Sequence, residues 1–321
     1  MGILSDIRAL AFGGVSFNPA TDIPSLDGKH ILVTGGNGGL GKQAIIDLIP
    51  HGPAVIWLAA RGPGRAQAAA DSLTIPAGSP TRVKALEMDL ASLDSVRAAA
   101  QTVLAESPRL DVLMANAGVM MTPEGVTAEG YELQFGTNHV GHFLLTKLLL
   151  PLLEKTAAAA PDADVRIVIL SSIASRIRPA VGVDYATLKG TAPTLSTYSR
   201  YGQSKIANIW MGTELARRYP RILTVSVHPG SVASNLLTPL SESVNVVSRG
   251  ALWGYNKLIS VSVPKGAKTQ LWAATAPREG IVNGEFYVPV GSAGAMDALS
   301  RDSAKAKELW EWSDKEVAKW L

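Results

Sequence analysis

Thr34-Gly-Gly-Asn-Gly-Gly-Leu-Gly41 follows an unbroken apolar run, His30–Thr34, and opens a helix-patterned stretch, Gly41–Leu48. A strand that turns through glycines into a helix lets the backbone approach a pyrophosphate. The helix start adds free N–H groups and the positive end of its dipole. The stretch reads as a dinucleotide cradle on Gly35, Asn37, Gly39, Leu40 and Gly41, with a plain Gly-rich turn as the bland alternative.

The rest of the chain repeats this strand–helix rhythm. Ala54–Ala60, Arg82–Met88, Leu110–Ala115, Val165–Leu170, Ile222–Val227 and Glu285–Val290 read as further strands. Most are continuous apolar runs rather than alternating ones, as expected for parallel strands buried on both faces. Arg65–Ser72, Leu93–Glu106, Gly130–Lys155, Tyr198–Arg218 and Lys265–Ala274 read as the intervening helices, and Ser303–Leu321 as an amphipathic terminal helix with Trp310, Trp312 and Trp320. The expected fold is α/β: one doubly wound (Rossmann) parallel sheet of about seven strands with helices on both faces. No linker divides residues 1–321, so a single dinucleotide-binding domain is expected. The apolar, irregular segment Asn235–Pro264 stands outside the rhythm and reads as a substrate-loop insertion.

Composition narrows the function. Apolar residues are 47% and charged residues 18% of 321, which suits a substantial core. The net charge is +3 and the basic residues are scattered, which argues against nucleic-acid binding. There is no cysteine, so disulfides, thiolate metal sites and a cysteine nucleophile are excluded. His139 and His142 share a helix, but no third ligand lies near, and no metal is expected. Met1-Gly-Ile-Leu-Ser-Asp6 begins like a myristoylation signal, yet Asp6 stands where Ser or Thr is wanted. No run reaches membrane-span length. A soluble, cytoplasmic protein is the expectation, with an oligomer open.

Two places refine the cofactor. Strand two ends Ala59-Ala60-Arg61. An acid there would hold a ribose 2′-hydroxyl, whereas an arginine suits a 2′-phosphate, so NADP(H) is expected, with Arg65 close enough to add to the pocket. Asp89 is placed to accept from an adenine amino group, or to cap the helix near Ser92.

The chemistry is carried by Tyr201-Gly-Gln-Ser-Lys205. A tyrosine and lysine four apart share a helix face, and an ammonium near a phenol favours phenolate. Tyr185-Ala-Thr-Leu-Lys189 has the same spacing, but Gly190 and Pro193 end any helix there, so Tyr201 is preferred. Tyr198 has Gly202 at its i+4 position and is no rival.

Taken with Asn116-Ala-Gly118, Asn138-His-Val-Gly-His-Phe-Leu-Leu-Thr146 and His228-Pro-Gly230, these motifs resemble the short-chain dehydrogenase/reductase family from about His30 to Val290, and its retinol-dehydrogenase-like branch in particular. The resemblance implies a tetrad of Asn138, Ser172, Tyr201 and Lys205. Tyr201 would exchange the proton with the substrate oxygen and Ser172 would orient that oxygen, with Ser171 as the alternative serine. Lys205 would bind the nicotinamide ribose, and Asn138 would hold a water leading to solvent. It also implies cofactor contacts from Leu90, Asn116, Ala117, Gly118, Pro229, Gly230, Val232 and Ser234. Ala115 replaces the Asn common in the family, and Ser234 the usual Thr. The branch carries an insertion between Ser and Tyr, which fits Arg176–Tyr198.

The implied activity is an NADP(H)-dependent carbonyl reductase or alcohol dehydrogenase. Val119–Met121, Ile173–Ile177 and the apolar Asn235–Pro264 are expected to line a crevice for a lipophilic or aromatic substrate. The alternatives are a catalytically silent dinucleotide-binding protein, or a member doing dehydration or epimerisation.

Overall fold

The computed structural model describes residues 14–232 and 261–321. Seven strands form one sheet: β1 His30–Thr34, β2 Val55–Ala60, β3 Arg82–Glu87, β4 Val112–Ala115, β5 Arg166–Leu170, β6 Leu223–Val227 and β7 Phe286–Tyr287. Their order is β3-β2-β1-β4-β5-β6-β7, and every pairing is parallel. The order reverses between β1 and β4, and the crevice beyond their carboxyl ends is where this architecture binds ligands.

The strand sequences explain the layering. β1, β2, β4, β5 and β6 are buried at every residue, which requires helices on both faces. One face is covered by α1 Gly39–Leu48, α2 Arg65–Asp71 and α6 Val263–Thr275. The other carries α3 Leu93–Glu106, α4 Gly141–Ala157, α5 Thr197–Arg218 and α7 Ser303–Val317. β3, at the edge, is mostly exposed or half-buried and carries Arg82, Lys84 and Glu87, which suits an unpaired flank.

Side-chain caps set several helix starts. Ser92 caps α3, Ser196 caps α5 by accepting from the Ser199 N–H at 3.1 Å, and Asp302 caps α7.

Among the boundaries that move, two have a clear local cause. The helix expected from Gly130 begins only at Leu133, because Tyr131 pairs as a bridge with Lys189 and Glu132 caps the turn through the Phe135 N–H. A π-helical turn, Gly136–Val140, then leads into α4. The seventh strand shortens from Glu285–Val290 to Phe286–Tyr287, since Val288 turns back to pair with Ser292.

The insertion before Tyr201 packs along α5. The Asp184 N–H donates to Gln203 at 2.7 Å, and the Ile177 carbonyl presses on Gly202, where a Cβ would lie 1.9 Å from that oxygen. Only glycine fits beside Tyr201 in this packing. The segment Asn235–Pro264 lies outside the described residues except for its last four. Its flanks meet: Val232 bridges Val261 in parallel, and the Val261 N–H donates to the Ser231 carbonyl at 2.7 Å.

Candidate active site

The cradle forms as its sequence requires. Gly38 is the N-cap of α1, with no side-chain cap on the helix start. A Cβ on Gly38 would point into open space, so the face offered outward is bare backbone. Gly41 is the reverse case. A Cβ there would lie 2.5 Å from the Gly35 carbonyl oxygen and 2.6 Å from Asn116 Nδ2, so its absence lets the loops close on one another. Leu40 is buried, and its carbonyl accepts from Gln270 at 3.0 Å.

Asn116, Ala117 and Gly118, after β4, are joined to this loop through Thr34. The Thr34 hydroxyl oxygen accepts from the N–H groups of Asn116 and Ala117 at 2.9 and 2.8 Å, and Asn116 Nδ2 donates to the Thr34 carbonyl at 2.7 Å. Asn116 Oδ1 is buried with no protein partner, and such a group needs one. An uncapped helix start, a bare glycine face and an orphan acceptor fit a bound dinucleotide.

Arg61 follows the last residue of β2, and the loop docks on that strand through the Gly36 N–H to the Ala59 carbonyl at 3.0 Å. Arg61 and Arg65 are exposed, and among the described residues neither has a carboxylate partner. Asp89 resolves differently from its capping alternative: Ser92 caps α3, while one Asp89 oxygen takes the Ala91 N–H at 2.9 Å in a local turn. Leu90 is buried, with its carbonyl against Gly141. Pro229, Gly230 and Val232 follow β6, Val232 packing on Gly266. Ser234 lies outside the described residues.

Of the expected tetrad, Ser172 ends the β5 segment and its hydroxyl oxygen accepts from the Ala174 N–H at 3.1 Å. Lys205 Nζ lies 5.5 Å from the centre of the Tyr201 ring and donates to the Leu170 carbonyl at 2.9 Å. Ser171, the alternative serine, donates instead to the Lys205 carbonyl at 2.7 Å, a contact that ties β5 to α5. Asn138 sits in the π-helical turn. Its Oδ1 accepts from the Val119 N–H at 2.8 Å, and its Nδ2 donates to the Val119 carbonyl and to Ser204 at 2.9 and 3.0 Å. It therefore clamps the loop after β4 to α5.

The electrostatics differ from the expectation that Lys205 would draw Tyr201 toward phenolate. Burial pushes the Tyr201 phenol up, and the neighbouring Ser172 hydroxyl is what opposes the rise. Burial also lowers Lys205 to about 7, so at neutral pH the lysine has lost part of the charge that the simple argument needs.

The rival pair separates. Tyr185 lies in a short 3-10 turn, Tyr185–Thr187, packed on Trp312 at 5.7 Å. Lys189 pairs with Glu316 at 2.8 Å and covers the Tyr131 ring at 3.5 Å. Both belong to the contact with α7.

Sequence reasoning missed His142, whose Nε2 meets Thr34 Oγ1 at 2.9 Å. It also missed Asn208, which donates to the same Leu170 carbonyl as Lys205, at 3.1 Å. Asn208 was within reach of the pattern, one turn past Lys205 on the same face. Among the described residues there is no cluster of three metal-ligating side chains, and no helix is long and apolar enough to cross a membrane.

This combination of fold and site defines a class, and the comparisons agree. The chain belongs to the short-chain dehydrogenase/reductase family, whose model, described as short chain dehydrogenase, matches residues 29–245. It falls in the retinol-dehydrogenase-like branch. A short-chain dehydrogenase/reductase of Armillaria gallica is 39% identical, over 91% of each chain. Retinol dehydrogenase 14 of Mus musculus is 36% identical, over 90% of this chain and 86% of its own. A crystal structure of a putative uncharacterized protein from Mycobacterium paratuberculosis superposes with a TM-score of 0.70 at 27% identity, covering 95% of this chain and 98% of that one. The protein is thus an oxidoreductase of CH–OH or carbonyl groups that uses a nicotinamide cofactor.

Proposed function

We propose that the protein is an NADP(H)-dependent reductase or dehydrogenase of lipophilic or aromatic carbonyls and alcohols, with Tyr201 as its general acid/base. The observation that carries this reading is the convergence of Ser172, Tyr201 and Lys205, from β5 and α5, at the carboxyl end of the sheet.

The dinucleotide would be held by the glycine loop from Gly35 to Gly41, by Asn116, Ala117 and Gly118, and by Lys205 at the nicotinamide ribose. Arg61 supplies the preference for a 2′-phosphate: it is exposed beside the loop, and among the described residues no carboxylate competes for it. Bound there, the cofactor supplies the hydride.

The chain's own residues handle the proton and the developing charge. A reduced carbonyl oxygen becomes an alkoxide and needs a donor as the charge grows. Tyr201, protonated because burial raises its pKa, gives its hydroxyl proton to that oxygen; in oxidation it takes the proton back. Ser172 donates a second hydrogen bond to the same oxygen and holds it in line. Asn138 fixes the floor of the site by clamping Val119.

Support for an apolar substrate comes from Ile177 and Val181, which expose 52% and 54% of their surface in the insertion that leads to Tyr201. NADPH consumption over hydrophobic aldehydes, aromatic ketones and sterol-like ketones tests the proposal. Turnover of bulky apolar carbonyls, lost in Tyr201→Phe, is the expected result. NADPH binding with no turnover of any carbonyl would overturn it.

A further inference from the structure

His142 is fully buried at the start of α4, and both of its ring nitrogens are engaged. Nδ1 lies 3.0 Å from the main-chain oxygen of Asn138, and Nε2 lies 2.9 Å from Oγ1 of Thr34. A carbonyl oxygen only accepts, so Nδ1 carries the hydrogen.

Thr34 fixes the other end independently. Its Oγ1 already accepts from the Ala117 N–H and from the Asn116 N–H, the latter shared with the Met114 carbonyl at 2.9 Å. Its own hydrogen must go to an acceptor. The Met114 carbonyl is 3.5 Å away, too far for a good hydrogen bond, and His142 Nε2 is much closer. Two arguments therefore assign one neutral tautomer. A doubly protonated ring would aim a third N–H at an oxygen that two N–H groups already approach. Burial, helped by the Lys205 charge, also holds the ring at about 4.

The result is a one-directional chain of hydrogen bonds. The N–H groups of Asn116 and Ala117 donate to Thr34, Thr34 donates to His142, and His142 donates to the Asn138 carbonyl. It runs from the loop after β4, through Thr34 at the end of β1, to the π-helical turn that carries Asn138.

We propose that His142 is a positioning residue for the reaction. It ties the main chain at Asn138 to the turn at Thr34, so that the pyrophosphate loop and the proton-transfer side of the site keep one register. This rests on the function proposed above. The competing explanation is that His142 merely fills the core.

Three measurements separate these. In the wild-type protein, nitrogen NMR of the His142 ring at neutral pH should show hydrogen on Nδ1 and none on Nε2; the opposite tautomer, or a charged ring, overturns the proposal. This reading needs neither turnover nor a variant that folds. Two substitutions then separate the two bonds. His142→Leu removes both. His142→Asn places an amide N–H near the Nδ1 position and removes only the Thr34 acceptor. The Leu variant should lose roughly three- to tenfold in NADPH affinity and a similar factor in kcat, the scale of a lost hydrogen bond. The Asn variant should regain most of the kcat while keeping the weakened affinity. If the two variants differ only in thermal stability, the ring is core packing and the proposal fails. If no carbonyl is turned over, the functional reading fails by itself, and the tautomer and NADPH affinity still decide the role of His142.

Discussion

Lys205 Nζ donates to the main-chain carbonyl of Leu170 at 2.9 Å, at the carboxyl end of β5. The lysine is thus fastened to the sheet while its ammonium lies 5.5 Å from the centre of the Tyr201 ring.

That burial has a pH signature. Lys205 falls to about 7 in the folded protein from an ordinary 10.5, because burial disfavours its charge. Between these values the unfolded chain holds a proton that the folded chain has released, so stability rises with pH through the window and is lowest below it. Lys205→Met should therefore be more stable than the wild type at pH 7, by on the order of a few kcal/mol. The advantage should shrink toward pH 10 and most turnover should be lost. Melting temperatures of both proteins across this range check the sign; a constant difference would refute it.

Tyr201→Phe should remove most turnover and leave NADPH binding nearly intact, since only the proton donor is lost. Tyr185→Phe should keep its activity. Its hydroxyl is buried without a partner, so losing it should leave the melting temperature unchanged or slightly raised. Steady-state kinetics and thermal denaturation of the two variants read both effects.

Arg61→Ala should weaken NADPH binding roughly tenfold or more, the range of a charge-assisted hydrogen bond, and barely change NADH binding. Fluorescence titration with both cofactors measures the ratio. Equal losses for the two would place Arg61 outside the 2′-phosphate pocket.

The glycine loop offers a paired test. Gly38→Ser puts a good cap residue at the N-cap of α1, where a Cβ meets nothing, so the fold should tolerate it. The new hydroxyl would take an N–H group intended for phosphate and fill the bare face, so NADPH affinity should fall. Gly41→Ala drives a Cβ into the Gly35 carbonyl and should lower stability as well. Calorimetry for binding and for unfolding separates the two outcomes.

Much of this was legible in the residue order because it depends on neighbours in the chain. Unbroken apolar runs such as His30–Thr34 and Val165–Leu170 can be buried only in a sheet covered on both faces, and all seven expected strands have parallel partners as that reading requires. The Tyr201–Lys205 pair follows from helix periodicity alone. Gly190 and Pro193 were enough to demote Tyr185.

Other features needed the fold. Lys189 is held by Glu316 on α7, a contact between distant parts of the chain that no local pattern announces. The raised Tyr201 phenol and the lowered Lys205 are effects of desolvation, which depends on everything packed around them rather than on the four-residue spacing. Thr34 and His142 are 108 residues apart, and their hydrogen bond exists only because β1 and β4 are neighbours in the sheet. Periodicity and turn chemistry act over a few residues, so the sequence alone determined the elements, the glycine cradle and the tyrosine–lysine face. Long-range packing sets burial and the pairing of polar groups, so only the tertiary structure decided the charge states and the chain of hydrogen bonds that joins the cradle to Asn138.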